Sequence, residues 1–345
     1  MDKTDILSLS LEELKEQIAA LGEPAFRAGQ IYDWLHAKQV DDFAQMSNIS
    51  HKLQAELCSK FYIPCIKIKK KLVSSLDGTV KYLYELEDGE CVESVLMRYK
   101  HGNTVCISTQ AGCRMGCRFC ASTLAGLKRN LRPSEMLGQV TGTARDIGER
   151  VSNIVLMGIG EPLDNFENVL RFLELVSHKT GPNIGLRHIS LSTCGLVDKI
   201  DALAQKKLQL TLSVSLHAPN DEIRRQTMPV SRKWSIQELI RSCRDYANST
   251  GRRISFEYAL INGVNDSDAN AAELASLLSG LLCHVNLIPV NEVKERGYTR
   301  TGQKQVERFQ SILERRGIPT TVRRRLGADI NAACGQLRRE NASAT

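Results

Sequence analysis

From about residue 104 onward the chain alternates short segments rich in β-branched residues with longer amphipathic ones, and this alternation constrains the fold more than any other feature. The short segments are TVCIST, NIVLMGI, HISLSTC, LQLTLSVSL, RISFEYALI and HVNLIPV; the longer ones include NFENVLRFLELVSH, IQELIRSCRDYAN and DANAAELASLLSG. Regular β-α alternation predicts a parallel sheet covered by helices. Six such units fall short of a closed eight-stranded barrel. The expectation is therefore an α/β fold, an open partial (β/α)6 barrel of the TIM type, with its chemistry at the carboxyl ends of the strands. Gly160, Glu161, Ser192, Ser215, His217 and Asn291 all fall at or near such ends.

Two segments precede the barrel. Residues 1–60 read as an N-terminal helical accessory domain: Ser10 and Glu13 form a capping-box pattern, and Ile31, Trp34 and Leu35 recur at helical spacing. Trp34 suits a core position in so small a unit better than an RNA-stacking platform. Residues 61–103 alternate like strands around two Asp-Gly turns, Asp77-Gly78 and Asp88-Gly89, which predicts a short antiparallel β extension whose third strand carries Glu93. The barrel and its C-terminal segment take residues 104–345.

The 46 Lys and Arg residues exceed the 39 acids only modestly, so local clusters matter more than the total. They lie at Lys67, Lys69, Lys70 and Lys71; at Lys128, Arg129 and Arg132; at Arg323, Arg324 and Arg325; and at Arg338 and Arg339. Each cluster suits an RNA backbone, and each is equally compatible with a solvated surface. The acidic N-terminal segment does not read as a secretory signal, and no apolar run reaches the length of a membrane span. A cytoplasmic protein with no membrane partner is expected. In that reducing compartment eleven cysteines suit metal binding or catalysis better than a disulfide framework.

Three of the cysteines, Cys113, Cys117 and Cys120, follow a CxxxCxxC spacing just after the first barrel strand. Three thiolates fill three corners of a four-iron cubane and leave one iron without a protein ligand. Electron-transfer clusters and structural zinc sites usually take four. A zinc site completed by a remote Cys or His is the competing reading, and with it a non-enzymatic zinc-containing RNA-binding module. An open iron on a partial barrel points instead to reductive cleavage of S-adenosylmethionine (SAM), whose amino and carboxylate groups chelate that iron. In the segment MGIGEP, Met157 to Pro162, the glycines permit close approach and Glu161 is placed to accept from the SAM ammonium.

Several separated motifs together carry a resemblance: FRAGQIYDWLH, TVCISTQAGCRMGCRFCAS, LRPSEMLGQV, MGIGEPLDN, ISLSTCG, SVSLHAPND, VNLIPVN and GADINAACGQLR. They span nearly the whole chain, which resembles the RlmN-type dual-specificity RNA methyltransferases, radical SAM enzymes that modify carbon 2 of adenosine. The resemblance implies one 4Fe-4S cluster on Cys113, Cys117 and Cys120, and two SAM molecules per methyl group transferred. It implies SAM contacts from Gly160, Glu161, Ser192, Ser215, Leu216, His217 and Asn291. It further implies a ping-pong mechanism in which Cys334 carries the methyl group, a thioether joins protein and RNA, Cys106 resolves that bridge by forming a disulfide, and Glu93 accepts the carbon 2 proton. Such chemistry answers a real difficulty, since carbon 2 of adenine is an electron-poor centre that does not attack a methylsulfonium. The implied partners are 23S rRNA at the peptidyl transferase centre, tRNA at the adenosine 3′ of the anticodon, a flavodoxin- or ferredoxin-like electron donor and a disulfide reductant. The related Cfr-type enzymes, which modify carbon 8, are the alternative, although Pro162 and Trp34 look more like the carbon 2 group. One departure stands out: Val290-Asn291-Glu292 replaces the Trp-Asn-Pro of many members.

Overall fold

The computed structural model describes residues 3–290 and 297–330. The first helices are α1 (Leu11–Ala19), α2 (Phe26–His36) and α3 (His51–Lys60). The expected capping box starts α1: the Ser10 hydroxyl accepts from the Glu13 N–H, and the Glu13 carboxylate accepts from the Ser10 N–H. Leu14, Ile18, Ile31, Tyr32, Leu35, Leu53 and Leu57 point inward into one apolar cluster shared with the rest of the molecule. Trp34 packs against this core half-buried, its indole N–H donating to Asn48 and the Lys38 ammonium 3.5 Å from its ring centroid.

Ten strands then form one continuous sheet: β1 (Lys67–Val73), β2 (Val80–Glu85), β3 (Cys91–Tyr99), β4 (Gly102–Cys106), β5 (Val151–Leu156), β6 (Ile189–Thr193), β7 (Thr211–Ser215), β8 (Ile254–Leu260), β9 (Cys283–Pro289) and β10 (Thr320–Val322). Their spatial order is their chain order. Strands β1 to β4 pair antiparallel and β4 to β10 pair parallel, so the expected antiparallel extension continues the barrel sheet through β4. The parallel part is a partial β/α barrel. Its strands are separated by α4 (Pro133–Ile147), α5 (Phe166–Ser177), α6 (Val197–Gln205), α7 (Asp221–Thr227) with α8 (Ile236–Thr250), α9 (Asp268–Leu277) and α10 (Gln303–Arg315). The six foreseen strands are joined by a seventh, β10, whose three residues are too short to show a period in the sequence.

The two faces of the sheet differ. Ile154, Leu156, Leu191, Leu212, Val214, Phe256, Tyr258, Val285 and Leu287 are almost fully buried on the helix side. Strand register places Cys106, Val155, Ser190, Ser213, Ser215, Glu257 and Asn286 on the inner face. A lumen lined by hydroxyls, an amide and a carboxylate is not a packed core. It is a place for a polar ligand.

Candidate active site

The cysteine loop leaves β4 through a short hairpin and closes on itself. The Cys113 N–H donates to the Gly126 carbonyl, the Cys120 N–H to Cys117, and the Thr123 hydroxyl to the Cys117 and Cys120 carbonyls. Gly116 turns the loop at φ +71°, a left-handed conformation that favours glycine. From α7, the Thr227 carbonyl accepts the Arg118 N–H. Cys113 and Cys117 are buried and Cys120 half-buried. Burial, with the other motif thiols nearby, pushes Cys113 up to about 12 and Cys117 higher still. Such thiols stay protonated in neutral water and give up their protons on binding a metal centre.

All three line a cavity of about 270 Å³ at the carboxyl ends of β5 to β9, together with Gly160, Glu161, Ser192, Ser215 and His217. Among the described residues no three His, Cys, Asp or Glu side chains are gathered closely enough to hold a single metal ion. Three thiols along one cavity wall are soft donors of the kind that would hold an iron–sulfur cluster.

Two glycines let the segment after β5 lie against the segment after β4: a Cβ on Gly158 would meet the Ile107 carbonyl oxygen at 2.5 Å, and one on Gly160 would meet Gln110 at 2.7 Å. This approach seats Glu161, which is 3% exposed and accepts from the Leu163 N–H at 3.0 Å and the Cys194 N–H at 2.7 Å. Burial raises its carboxyl pKa and these donors oppose the rise. His217 holds φ +56°, accepts the Ala259 N–H at Nδ1, and meets Phe119 edge to face. Burial depresses it to about 3, so its ring is neutral. Leu216 is fully buried and does not line the cavity; its backbone N–H bonds to Glu257.

Cys106 and Glu93 lie on the same inner face, one step away from the cavity. Cys106 sits opposite Val95 on β3, and the Ser108 hydroxyl bonds to the Glu93 carbonyl, so the two side chains are diagonal neighbours. The Met157 backbone, which lines the cavity, hydrogen-bonds to the Cys106 thiol; burial pushes that thiol up to about 11. Glu93 Oε2 is 3.1 Å from Lys81 Nζ, both side chains 1% exposed. Asn291 and Cys334 lie outside the described residues.

Sequence reasoning missed Lys81, Glu257 and Arg323. Glu257 and Arg323 line the cavity, and Asn286 donates to the Glu257 carboxylate at 2.8 Å. An acid at an inward position of the apolar strand RISFEYALI was the available signal. Arg323, counted above in a basic run, faces this cavity. Arg129 and Arg132 are likewise engaged internally, with Asp88, Glu135, Glu87 and Asp5.

A partial barrel whose strand ends gather three cysteines around a polar cavity is the arrangement expected of a radical SAM enzyme, and the comparisons agree. Residues 107–275 match the Radical SAM superfamily, and residues 4–63 match the ribosomal RNA large subunit methyltransferase N-terminal domain. The crystal structure of a radical SAM methyltransferase from Sphaerobacter thermophilus is similar at TM-score 0.91 and 46% identity, covering 96% of this chain and 98% of that one. A probable dual-specificity RNA methyltransferase RlmN of Alkaliphilus oremlandii is 57% identical over 99% of both chains, and one of Clostridium botulinum strain Okra is 55% identical over 98% of this chain and 99% of its own. The chain belongs to the RlmN family of dual-specificity RNA methyltransferases. Membership implies SAM and a 4Fe-4S cluster as cofactors.

Proposed function

We propose that this cytoplasmic enzyme makes 2-methyladenosine in 23S rRNA and in tRNA, with Cys334 as methyl carrier, Cys106 as resolving thiol and Glu93 as proton acceptor. The observation that carries the reading is the placement of Cys106 and Glu93 side by side on the inner sheet face, joined through Met157 to the three-cysteine cavity. The segment leading to Cys334 supports it as well. Gly327 donates to Asp77, and Asp329 accepts from Ser74 and Ser75, which fastens that segment to the β1–β2 turn beside Lys81.

Cys113, Cys117 and Cys120 hold the cluster, which when bound supplies the electron that cleaves SAM to a 5′-deoxyadenosyl radical. Glu161 accepts from the SAM ammonium while its two backbone donors keep it in place. Gly160, Ser192, Ser215, the Leu216 backbone, His217 and Asn291 hold the remainder. Cys334 takes a methyl group from a first SAM. After that methyl group loses a hydrogen to the radical from a second, it bridges Cys334 sulfur and carbon 2 of the base. Glu93, anchored by Lys81, takes the carbon 2 proton. The adduct radical gives up one electron, which the cluster when bound would take back. The Cys106 thiolate attacks the Cys334 sulfur to form a disulfide, while the released methylene takes up a proton as the methyl group of the RNA. A flavodoxin- or ferredoxin-like donor and a disulfide reductant complete the cycle. The target base has to be unpaired or extruded to reach Cys334.

Cys106→Ala tests the scheme. Cluster-replete variant incubated with SAM and RNA is expected to accumulate a covalent protein–RNA adduct on denaturing gels; release of methylated RNA at the wild-type rate would refute resolution by this thiol.

A further inference from the structure

Arg224 is the largest fully buried side chain among the described residues, at 0% exposure on α7. It makes no ion pair with any described residue. Its guanidinium is spent on backbone carbonyls: Nη2 donates to Cys194 at 2.7 Å and to Ser215 at 3.4 Å, and Nε donates to Leu216 at 3.2 Å. These carbonyls stand where β6 and β7 deliver Cys194, Ser215 and His217 to the cavity. The remaining nitrogen, Nη1, is buried without an acceptor among the described residues.

A cation sealed in the interior is expensive even with Asp221 one helical turn away, and a neutral amide would bond the same carbonyls at lower cost. What faces Arg224 accounts for the charge. Cys117 and Cys194 both feel its field, Gly195 leaves the space that its Nη2 occupies, and three residues further on Thr227 accepts the Arg118 N–H of the cysteine loop. The guanidinium therefore lies behind the part of the cavity wall where Cys194 and Ser215 end their strands, within electrostatic reach of Cys117. Three thiolates on a cubane core of charge 2+ give a net charge of 1−, and one added electron makes it 2−. Low-dielectric surroundings leave a fixed positive charge there poorly screened, so it favours the anionic assembly over its absence and the reduced form over the oxidised.

We infer that Arg224 is a positioning residue with two tasks: it ties together the strand ends that form the cofactor cavity, and it supplies the fixed counter-charge that holds the cluster and raises its reduction potential. This rests on the three-cysteine cluster proposed above. The separation of charge from shape decides it. Arg224→Lys keeps the charge and loses the planar fork; Arg224→Gln keeps an amide donor without charge; Arg224→Met keeps length with neither.

Wild type and the three variants are reconstituted without oxygen, and iron per chain and the midpoint potential from spectroscopically monitored redox titration are measured, with melting of the metal-free proteins as a control for folding. Wild type is expected to take up about four irons; failure at that step sinks the cluster reading itself. Given a wild-type cluster, the Gln and Met variants are expected to show a more negative midpoint or to lose iron, while Lys stays close to wild type. Wild-type potential and iron in a neutral variant would overturn the inference. So would equal shifts in all three, since shape alone would then matter, or failure of both neutral variants to fold.

Discussion

At the scale of single residues, the site is built from buried polar groups whose partners are backbone atoms. Glu161 uses both oxygens on the N–H groups of Leu163 and Cys194. Glu161→Gln turns an N–H toward one of those donors, which costs about 1–3 kcal/mol and removes a charged acceptor for the SAM ammonium. SAM affinity of the cluster-replete protein, measured by equilibrium binding, is expected to fall at least about tenfold; unchanged affinity would remove Glu161 from the site. Asn265 illustrates what sequence does not disclose: it accepts from the Ile261 N–H and donates to the His217 and Ala259 carbonyls, holding the His217 turn, yet nothing in VNDSD announces it. Arg224 and Lys81 were hidden for the same reason. The cysteine spacing and the Gly-Glu pair were legible because their ligands are local; the buried clamps join elements far apart in the chain.

At the scale of elements, α2 meets α5 through an aromatic group in which Tyr32 contacts both His36 and His178. Neither His36 nitrogen has a hydrogen-bond partner among the described residues, and burial, followed by the nearby His178, lowers it to about 4. Its folded pKa lies below the unfolded value, so the neutral ring's contribution is complete above about 6.5 and is lost as pH falls from there toward 4. By pH 5 the loss at His36 is about 2 kcal/mol. A melting temperature that falls between pH 7 and pH 5, and falls less in His36→Phe, is expected; equal acid sensitivity in both would place the cause elsewhere. Strand β1 gives a second prediction. Its Lys69 and Lys71 pair with Glu85 and Asp146, whereas the exposed Lys67 and Lys70 make no ion pair with described residues. Replacing Lys67 and Lys70 by Gln is expected to reduce the slope of log affinity for RNA against log salt by about 2. A slope equal to wild type would show that these lysines meet no phosphate. In the sequence the four lysines look alike, and only the tertiary pairing separates them.

At the scale of the whole molecule, the alternation beyond residue 104 was enough to expect an open parallel barrel, because each strand needs a helix to return it to the same edge. It did not show that the antiparallel strands continue that barrel's sheet, since pairing between β3 and β4 depends on register and not on period. That continuity matters to the chemistry: it is why Glu93 on β3 and Cys106 on β4 share a face with Glu257 on β8. The helical unit is held against the barrel by bonds from Ser134 to Asp5 and from Arg171 to Glu13. The carbon that receives the methyl group separates the carbon 2 reaction from the carbon 8 reaction. Cluster-loaded protein, a strong reductant, SAM and RNA prepared from a strain lacking the modification are to be combined without oxygen, and the digested nucleosides identified by mass spectrometry against isomer standards. The expected products are 2-methyladenosine and 5′-deoxyadenosine; 8-methyladenosine, or SAM cleavage with no methylated adenosine, would contradict methylation at carbon 2.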